Sequence, residues 1–397
     1  MAKSRLILPV IVVAQFCCTS LWFAGNAVMS DLLTTFDLDP EALGHLTSAV
    51  QFGFISGTLL FAFLSVADRF SPSKVFFVSA LFGAAFNLAF LLEQNTFETL
   101  LLLRFLTGFS LAGIYPVGMK IAADYFDKGL GTSLGYLVGA LVLGTAFPHL
   151  LKAFTSTQLP WKLVLISTST LSAVGGFLII FLVPDGPFRS PKLKKDFTSF
   201  LSVFKNPPFR AAAFGYFGHM WELYAFWAFV PVILMAFQKF HATAEIPVSL
   251  YSFLVIGAGG LACVIGGYIS QTAGTKKTAA TALFLSGCCC LLSPFVFFYA
   301  SETILLLFLI FWGLAVVADS PLFSTLVAQN APAENRGTAL TIVNSVGFAI
   351  TIFSIQLLNV LFLEITPFYL FVVLALGPAF GLWSLYKKRI PVSVKKQ

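Results

Sequence analysis

The sequence predicts an all-α membrane protein: twelve transmembrane helices in two related six-helix bundles, with both termini on the cytoplasmic side. Three observations lead there. Hydrophobic residues fill 58% of the 397 positions and charged residues only 10%, with a mean hydropathy of +0.90. A soluble domain carries about 25% charged residues, so this chain cannot cover a globule with polar surface. Apolar runs of membrane-crossing length recur along the whole chain, and the basic residues gather in alternate connections between them.

A helix needs about 20 mostly apolar residues to cross a hydrocarbon core ~30 Å thick. The qualifying runs are 6–30, 43–66, 74–92, 98–119, 132–151, 162–183, 209–236, 248–270, 278–299, 303–327, 338–362 and 366–386. The first begins "MAKSRLILPVIVVAQF", a basic start that could open a secretory signal. Its apolar stretch continues to about Val28 and many similar runs follow, so it reads as a retained first span. The breaks are polar or rich in Gly and Pro, as turns require: "DRFSPSK", "EQNTFE", "DYFDKG", "STQLPW", "QTAGTKK" and "APAENRG".

Basic residues in short loops set orientation. With the N-terminus inside, twenty of the 24 Lys and Arg fall on the inner side, three (Lys152, Lys162, Lys239) outside, and Arg104 within a span. The net charge of +7 is thereby explained as inner-face charge, and no nucleic-acid partner is implied. The longest connection, "PDGPFRSPKLKKDFTSFLSVFKNPP" at 184–208, is a solvated cytoplasmic linker near anionic headgroups. It divides a bundle over 1–183 from a second over 209–397 that ends in a short basic tail. All six cysteines sit in apolar runs, without the spacing of metal sites or disulfide scaffolds, and read as packing residues.

The two halves share landmarks. "GLGTSLGYLVG" at 129–139 and "NRGTALTIVNSVG" at 335–347 align Gly131-Thr132 with Gly337-Thr338. Gly108 and Pro116 align with Gly313 and Pro321, and "LSVADRFSPSK" aligns with "GYISQTAGTKK". The three offsets agree within three residues, which supports a duplicated six-helix unit.

With these motifs the chain resembles the major facilitator superfamily. The family's loop pattern after the second helix, G-x-x-x-D-[RK]-x-G-[RK]-x-[RK], is met by Asp68, Arg69 and Lys74, with Leu64 and Ser71 in place of its glycines. The second copy keeps Gly267, Gly274 and Lys277 but has Gln271 for the acid. The fourth-helix pattern R-x-x-x-G matches Arg104 and Gly108, followed by Ala112 and Gly113. The antiporter pattern on helix five is incomplete: Gly135, Gly144 and Pro148 are followed by His149 and Leu150. The resemblance implies two bundles around a cavity lined by the first and seventh helices. It also implies gating by Asp68, Arg69 and Lys74, with Asp68 facing the span that starts at Gly337.

Four ionisable side chains fall well inside spans: Arg104, His219, Glu222 and Asp319. A central Arg, Lys or Asp costs about 2.5–3.5 kcal/mol on insertion scales, and such ionisable groups face a bundle interior and mark function. His219 and Glu222 are three residues apart and share a helix face near the midplane. Burial disfavours the charged form of either, which suits groups that take and release protons. Asp319 precedes Ser320-Pro321, where the proline frees a carbonyl and bends the helix. Glu222, His219 and Asp319 are therefore the expected proton-coupling residues. Arg104 is expected at the substrate, with Trp22, Asn26, Gln51, Tyr224 and Asn344 lining the cavity.

The expected function is secondary transport of a small organic anion, coupled to protons. Proton-driven export of lipophilic or cationic compounds is the alternative. Divalent-metal transport ranks lower, since two ligands are too few. No phosphate-binding G-x-x-x-x-G-K-[ST] loop occurs and no soluble domain is long enough for an enzyme, so neither ATP coupling, a cofactor nor catalysis is expected. The expected setting is the lipid bilayer of a bacterial inner membrane, with the chain a monomer.

Overall fold

The computed structural model describes residues 2–126, 130–154, 161–189, 203–241, 244–332 and 336–387. Most of the linker and all residues beyond Lys387 therefore lie outside the described residues. Eleven described helices are long and apolar enough to cross a membrane. In chain order these second to twelfth spans run Ala42–Phe63, Pro72–Leu91, Phe97–Tyr125, Ser133–Phe154, Lys162–Leu182, Pro207–Phe240, Val248–Ala273, Thr275–Tyr299, Glu302–Asn330, Ala339–Glu364 and Pro367–Tyr386. The protein is a multi-pass integral membrane protein.

The first span departs from expectation. In place of one helix over 6–30 there are three pieces, Ala2–Thr19, Ala24–Ala27 and Met29–Thr35. Local hydrogen bonding explains the break. Thr19 donates its hydroxyl to the Gln15 carbonyl at 2.8 Å and Ser20 donates to Cys17 at 2.7 Å. Such bonds compete with the helical ladder, and Leu21 and Trp22 donate their N–H groups only three residues back.

Two further spans are interrupted, at matching places. The fourth is Phe97–Leu111 and Tyr115–Tyr125, the second piece opening on Pro116. The tenth is Glu302–Ala318 and Ser320–Asn330, the second piece opening on Pro321. Each proline lacks the N–H that would continue the ladder. Helix crossings match as well. A methyl group on Gly108 would strike the Val50 carbonyl, and one on Gly313 would strike the Val255 carbonyl. Small residues here let two backbones touch.

Between the halves, the fifth span packs along the eighth and the second along the eleventh. Gly139 and Gly260 oppose each other in the first of these contacts. In the second, Gln356 donates to Ser48 at 2.8 Å and Asn359 donates to the Glu41 carbonyl at 3.0 Å. These bonds tie spans two and eleven together at the end of the molecule away from the basic loops.

Candidate functional site

The seventh span, Pro207–Phe240, supplies the centre of the molecule. Its residues from Gly218 to Val230 are nearly all buried, Trp221 being the exception. One face carries Tyr216, Met220, Leu223 and Tyr224 toward a central pocket. Tyr115, Ser320, Ser324 and Asn344 complete its polar lining. The pocket holds about 20 Å³, room for one water molecule. No charged side chain lines it.

An aromatic layer drawn from both halves covers this pocket. Trp22 lies 4.8 Å from Phe54, 5.6 Å from Phe348 and 5.7 Å from Tyr224, ring centre to ring centre. Phe54 and Phe348 approach to 4.5 Å. Trp22 is fully buried, and its indole N–H has no hydrogen-bond partner among the described residues. Beyond the layer, away from the basic loops, opens a cavity of about 400 Å³ that begins at Asn26, four residues on from Trp22. Toward the basic loops a cavity of about 120 Å³ lies between spans two, four and eleven, lined in part by Thr58, Asp68 and Thr341.

Glu222 points away from the central pocket, into the second half. Its carboxylate accepts from Ser286 Oγ at 2.7 Å, Trp312 Nε1 at 2.7 Å and Cys290 Sγ at 3.4 Å. The ninth and tenth spans thus hold both carboxylate oxygens. The arrangement tolerates either protonation state: a protonated Glu222 can donate to the Ser286 hydroxyl, which also accepts, while Trp312 keeps donating. Cys290, read from the sequence as packing, is also a donor here. Trp312→Phe leaves Oε1 with the weak thiol alone, an expected loss of about 1–3 kcal/mol. Thermal unfolding of the purified variant in detergent measures it, and an unchanged midpoint would contradict this account.

His219 and Asp319 meet across the seventh and tenth spans, Nδ1 to Oδ1 at 2.8 Å, each only 1% exposed. The contact is short but poorly directed for a hydrogen bond, and His219 Nε2 and Asp319 Oδ2 have no partner. Asp319 sits at the break in the tenth span and is followed directly by Ser320, which lines the central pocket. His219 and Glu222, three residues apart in sequence, therefore serve different neighbours. The sequence left their partners open; Ser286, Trp312 and Cys290 carry no periodic signal that would single them out.

Arg104 is 1% exposed and lines none of these cavities. It donates to the carbonyls of Leu21 at 3.3 Å and Trp22 at 2.6 Å, and at the limit of 3.5 Å to Asn26 Oδ1. The broken first span leaves those carbonyls free, and the guanidinium caps them. Among the described residues no carboxylate lies within ion-pair distance of it. Asn26 in turn donates to Thr47 at 2.8 Å. Gln51 is fully buried, and neither amide atom has a hydrogen-bond partner among the described residues. Thus Tyr224 and Asn344 line the central pocket, Trp22 roofs it, Asn26 opens the outer cavity, and Arg104 and Gln51 stand behind the walls.

At the basic end Asp68 pairs with Lys120 at 3.2 Å, and Lys120 also reaches Asp124 at 3.4 Å. Lys120 was not singled out in the sequence, although Lys and Asp four apart on a helix are a pairing signal. Arg69 and Lys74 are exposed. Asp68 and Thr341 line one cavity, while the side chain of Gly337's neighbourhood lies outside the described residues. Among the described residues no group of three or more His, Cys, Asp or Glu is placed to hold a metal ion.

Comparison with known proteins places this geometry. The curated relatives match over less than half of either chain. An uncharacterized MFS-type transporter of Bacillus subtilis, YybF, is 23% identical over 46% of this chain and 45% of its own. The 4-hydroxybenzoate transporter PcaK of Acinetobacter baylyi is 26% identical over 42% of this chain and 35% of its own. The fold is that of the human organic anion transporter MFSD10, with a TM-score of 0.75 and 15% identity over 96% of this chain and 99% of that one. The sequence profile of the Major Facilitator Superfamily matches residues 11–355, and the chain belongs to that family.

Proposed function

We propose that this protein is a secondary active transporter that carries a small organic anion by alternating access, coupled to protons. The observation that carries the reading is Arg104. It is a buried positive charge, hydrogen-bonded among the described residues to neutral oxygens only, beside Asn26 at the mouth of the outer cavity. In a low-dielectric interior such a charge favours an anion nearby far more than it would in water. The 4-hydroxybenzoate named for PcaK is a solute of this class. Arg104 acts through the field it sets up and through the bend of the first span it holds.

Proton coupling falls to Glu222 and to the His219–Asp319 pair. Both link the seventh span to the tenth, whose break borders the central pocket. A change of charge at either alters how firmly those spans hold together, and so which state of the pocket is favoured. Asp68, held by Lys120, is the gate at the basic end, with Arg69 and Lys74 beside it. The two six-helix units, bounded near the linker at 184–208, are the bodies that rock about the central pocket.

One observation favours a second reading, export of lipophilic cations: the central pocket has aromatic walls and no charged lining. Uptake into proteoliposomes separates the two. With the outside acidified, labelled benzoate, 4-hydroxybenzoate or a small dicarboxylate should accumulate several-fold above the level without a gradient. Accumulation of none of these, with saturable movement of tetraphenylphosphonium instead, would replace the anion carrier by the exporter.

A further inference from the structure

The outer cavity has a polar lining of its own. It is lined by the first, second, fifth, seventh, eighth and eleventh spans and holds about 400 Å³, within the size range of small-molecule sites. His149 and Lys152, three residues apart on the fifth span, both line it. They share one helix face.

His149 is 2% exposed, and its Nε2 has no hydrogen-bond partner among the described residues. A buried ring nitrogen without a partner is costly, and the ring that carries it borders the cavity. It follows Pro148, which lacks an N–H and loosens the helix at this level. Lys152 reaches Asp31 at 2.7 and 2.9 Å across the end of the bundle. Asp31 belongs to Met29–Thr35, the last piece of the broken first span.

We propose that His149 and Lys152 form an entry subsite for the carboxylate of the transported solute, and that Asp31 occupies Lys152 until the solute arrives. This rests on the anion reading above and adds to it the residues that first take the charge. An incoming carboxylate accepts from the His149 ring N–H and from the Lys152 ammonium. It offers Lys152 the same chemistry as Asp31 and competes with it, releasing the Met29–Thr35 segment from the fifth span. The aromatic layer at Trp22 then stands between this subsite and the central pocket.

The proposal predicts effects of opposite sign at the two ends of one ion pair. Equilibrium binding of labelled benzoate, 4-hydroxybenzoate and a small dicarboxylate would be measured on the purified full chain in nanodiscs, with benzamide as the neutral control. Losing a hydrogen bond to a charged group corresponds to about tenfold in affinity. His149→Gln and Lys152→Gln should each weaken carboxylate binding by about that factor. Asp31→Asn should strengthen it several-fold, and Lys152→Arg should retain it. Benzamide should not discriminate among the variants.

Thermal unfolding of each variant checks that the fold is intact, and Lys152→Arg keeps the ion pair should Lys152→Gln fail to fold. If Asp31→Asn weakens binding as Lys152→Gln does, the pair is a structural tie and the entry subsite is wrong. The same holds if wild type binds carboxylates and all variants bind them equally. If wild type binds none of the carboxylates, the anion reading fails and the subsite with it.

Discussion

Glu222→Gln should abolish accumulation driven by a pH gradient while leaving the protein folded. Glutamine has nearly the same shape, and its amide oxygen can still accept from Trp312 Nε1 while its amide NH₂ donates to Ser286. The variant therefore keeps the bridge between spans seven, nine and ten and loses only the titratable proton. The expected result in proteoliposomes is loss of at least a factor of ten in gradient-driven uptake. Exchange of solute for solute, which needs no net proton movement, should persist. Undiminished accumulation would remove Glu222 from the coupling scheme and leave it as a satisfied internal acid. The His219–Asp319 pair would then be the remaining candidate, testable by the same assay with Asp319→Asn.

Gly108→Ala should destabilise the fold, and Gly313→Ala should do so to a similar degree. Each added methyl group meets a backbone carbonyl, that of Val50 or of Val255, and a backbone cannot rotate aside as a flexible side chain does. Overpacking of this kind costs about 1–3 kcal/mol. Gly135 is the internal control: a methyl group there meets nothing within 4 Å. Gly135→Ala should be neutral or slightly stabilising, since alanine is the better helix former by about 1 kcal/mol. Thermal unfolding in detergent compares the three. Equal behaviour of Gly108→Ala and Gly135→Ala would show that the close crossing of spans two and four does not contribute to stability.

Span positions were legible because lipid makes hydrophobicity and length the governing variables. Eleven of the predicted runs agree with described helices to within four residues at each end, except that the fourth runs six residues further, to Tyr125. The first run misled because its break is made by hydroxyls and a guanidinium within an apolar stretch, which leaves hydropathy unchanged. The two matched prolines were visible in the sequence, and the structure has a helix break at each.

The candidate site was legible in part. Buried ionisable residues stand out in a greasy chain, so Arg104, His219, Glu222 and Asp319 could be picked without any structure. Their partners could not. Ser286, Cys290 and Trp312 are ordinary residues for a membrane helix, and only the packing of three spans brings them to one carboxylate. His149 was visible too, but its burial against a cavity was not, since it lies near the predicted end of its span.

By itself the sequence determined that this protein lives in a membrane, where its helices run and which side chains are costly to bury. Those are local properties, set by the transfer of each segment from water to hydrocarbon. The tertiary structure alone decided that His219 faces Asp319 while Glu222 faces Trp312, and that Arg104 caps a broken helix. Residues three apart on a helix lie on one side but about 60° apart around its axis, enough for His219 and Glu222 to meet different neighbours. Which face meets which neighbour is settled by the packing of backbones at glycines such as Gly108 and Gly313, and not by hydropathy.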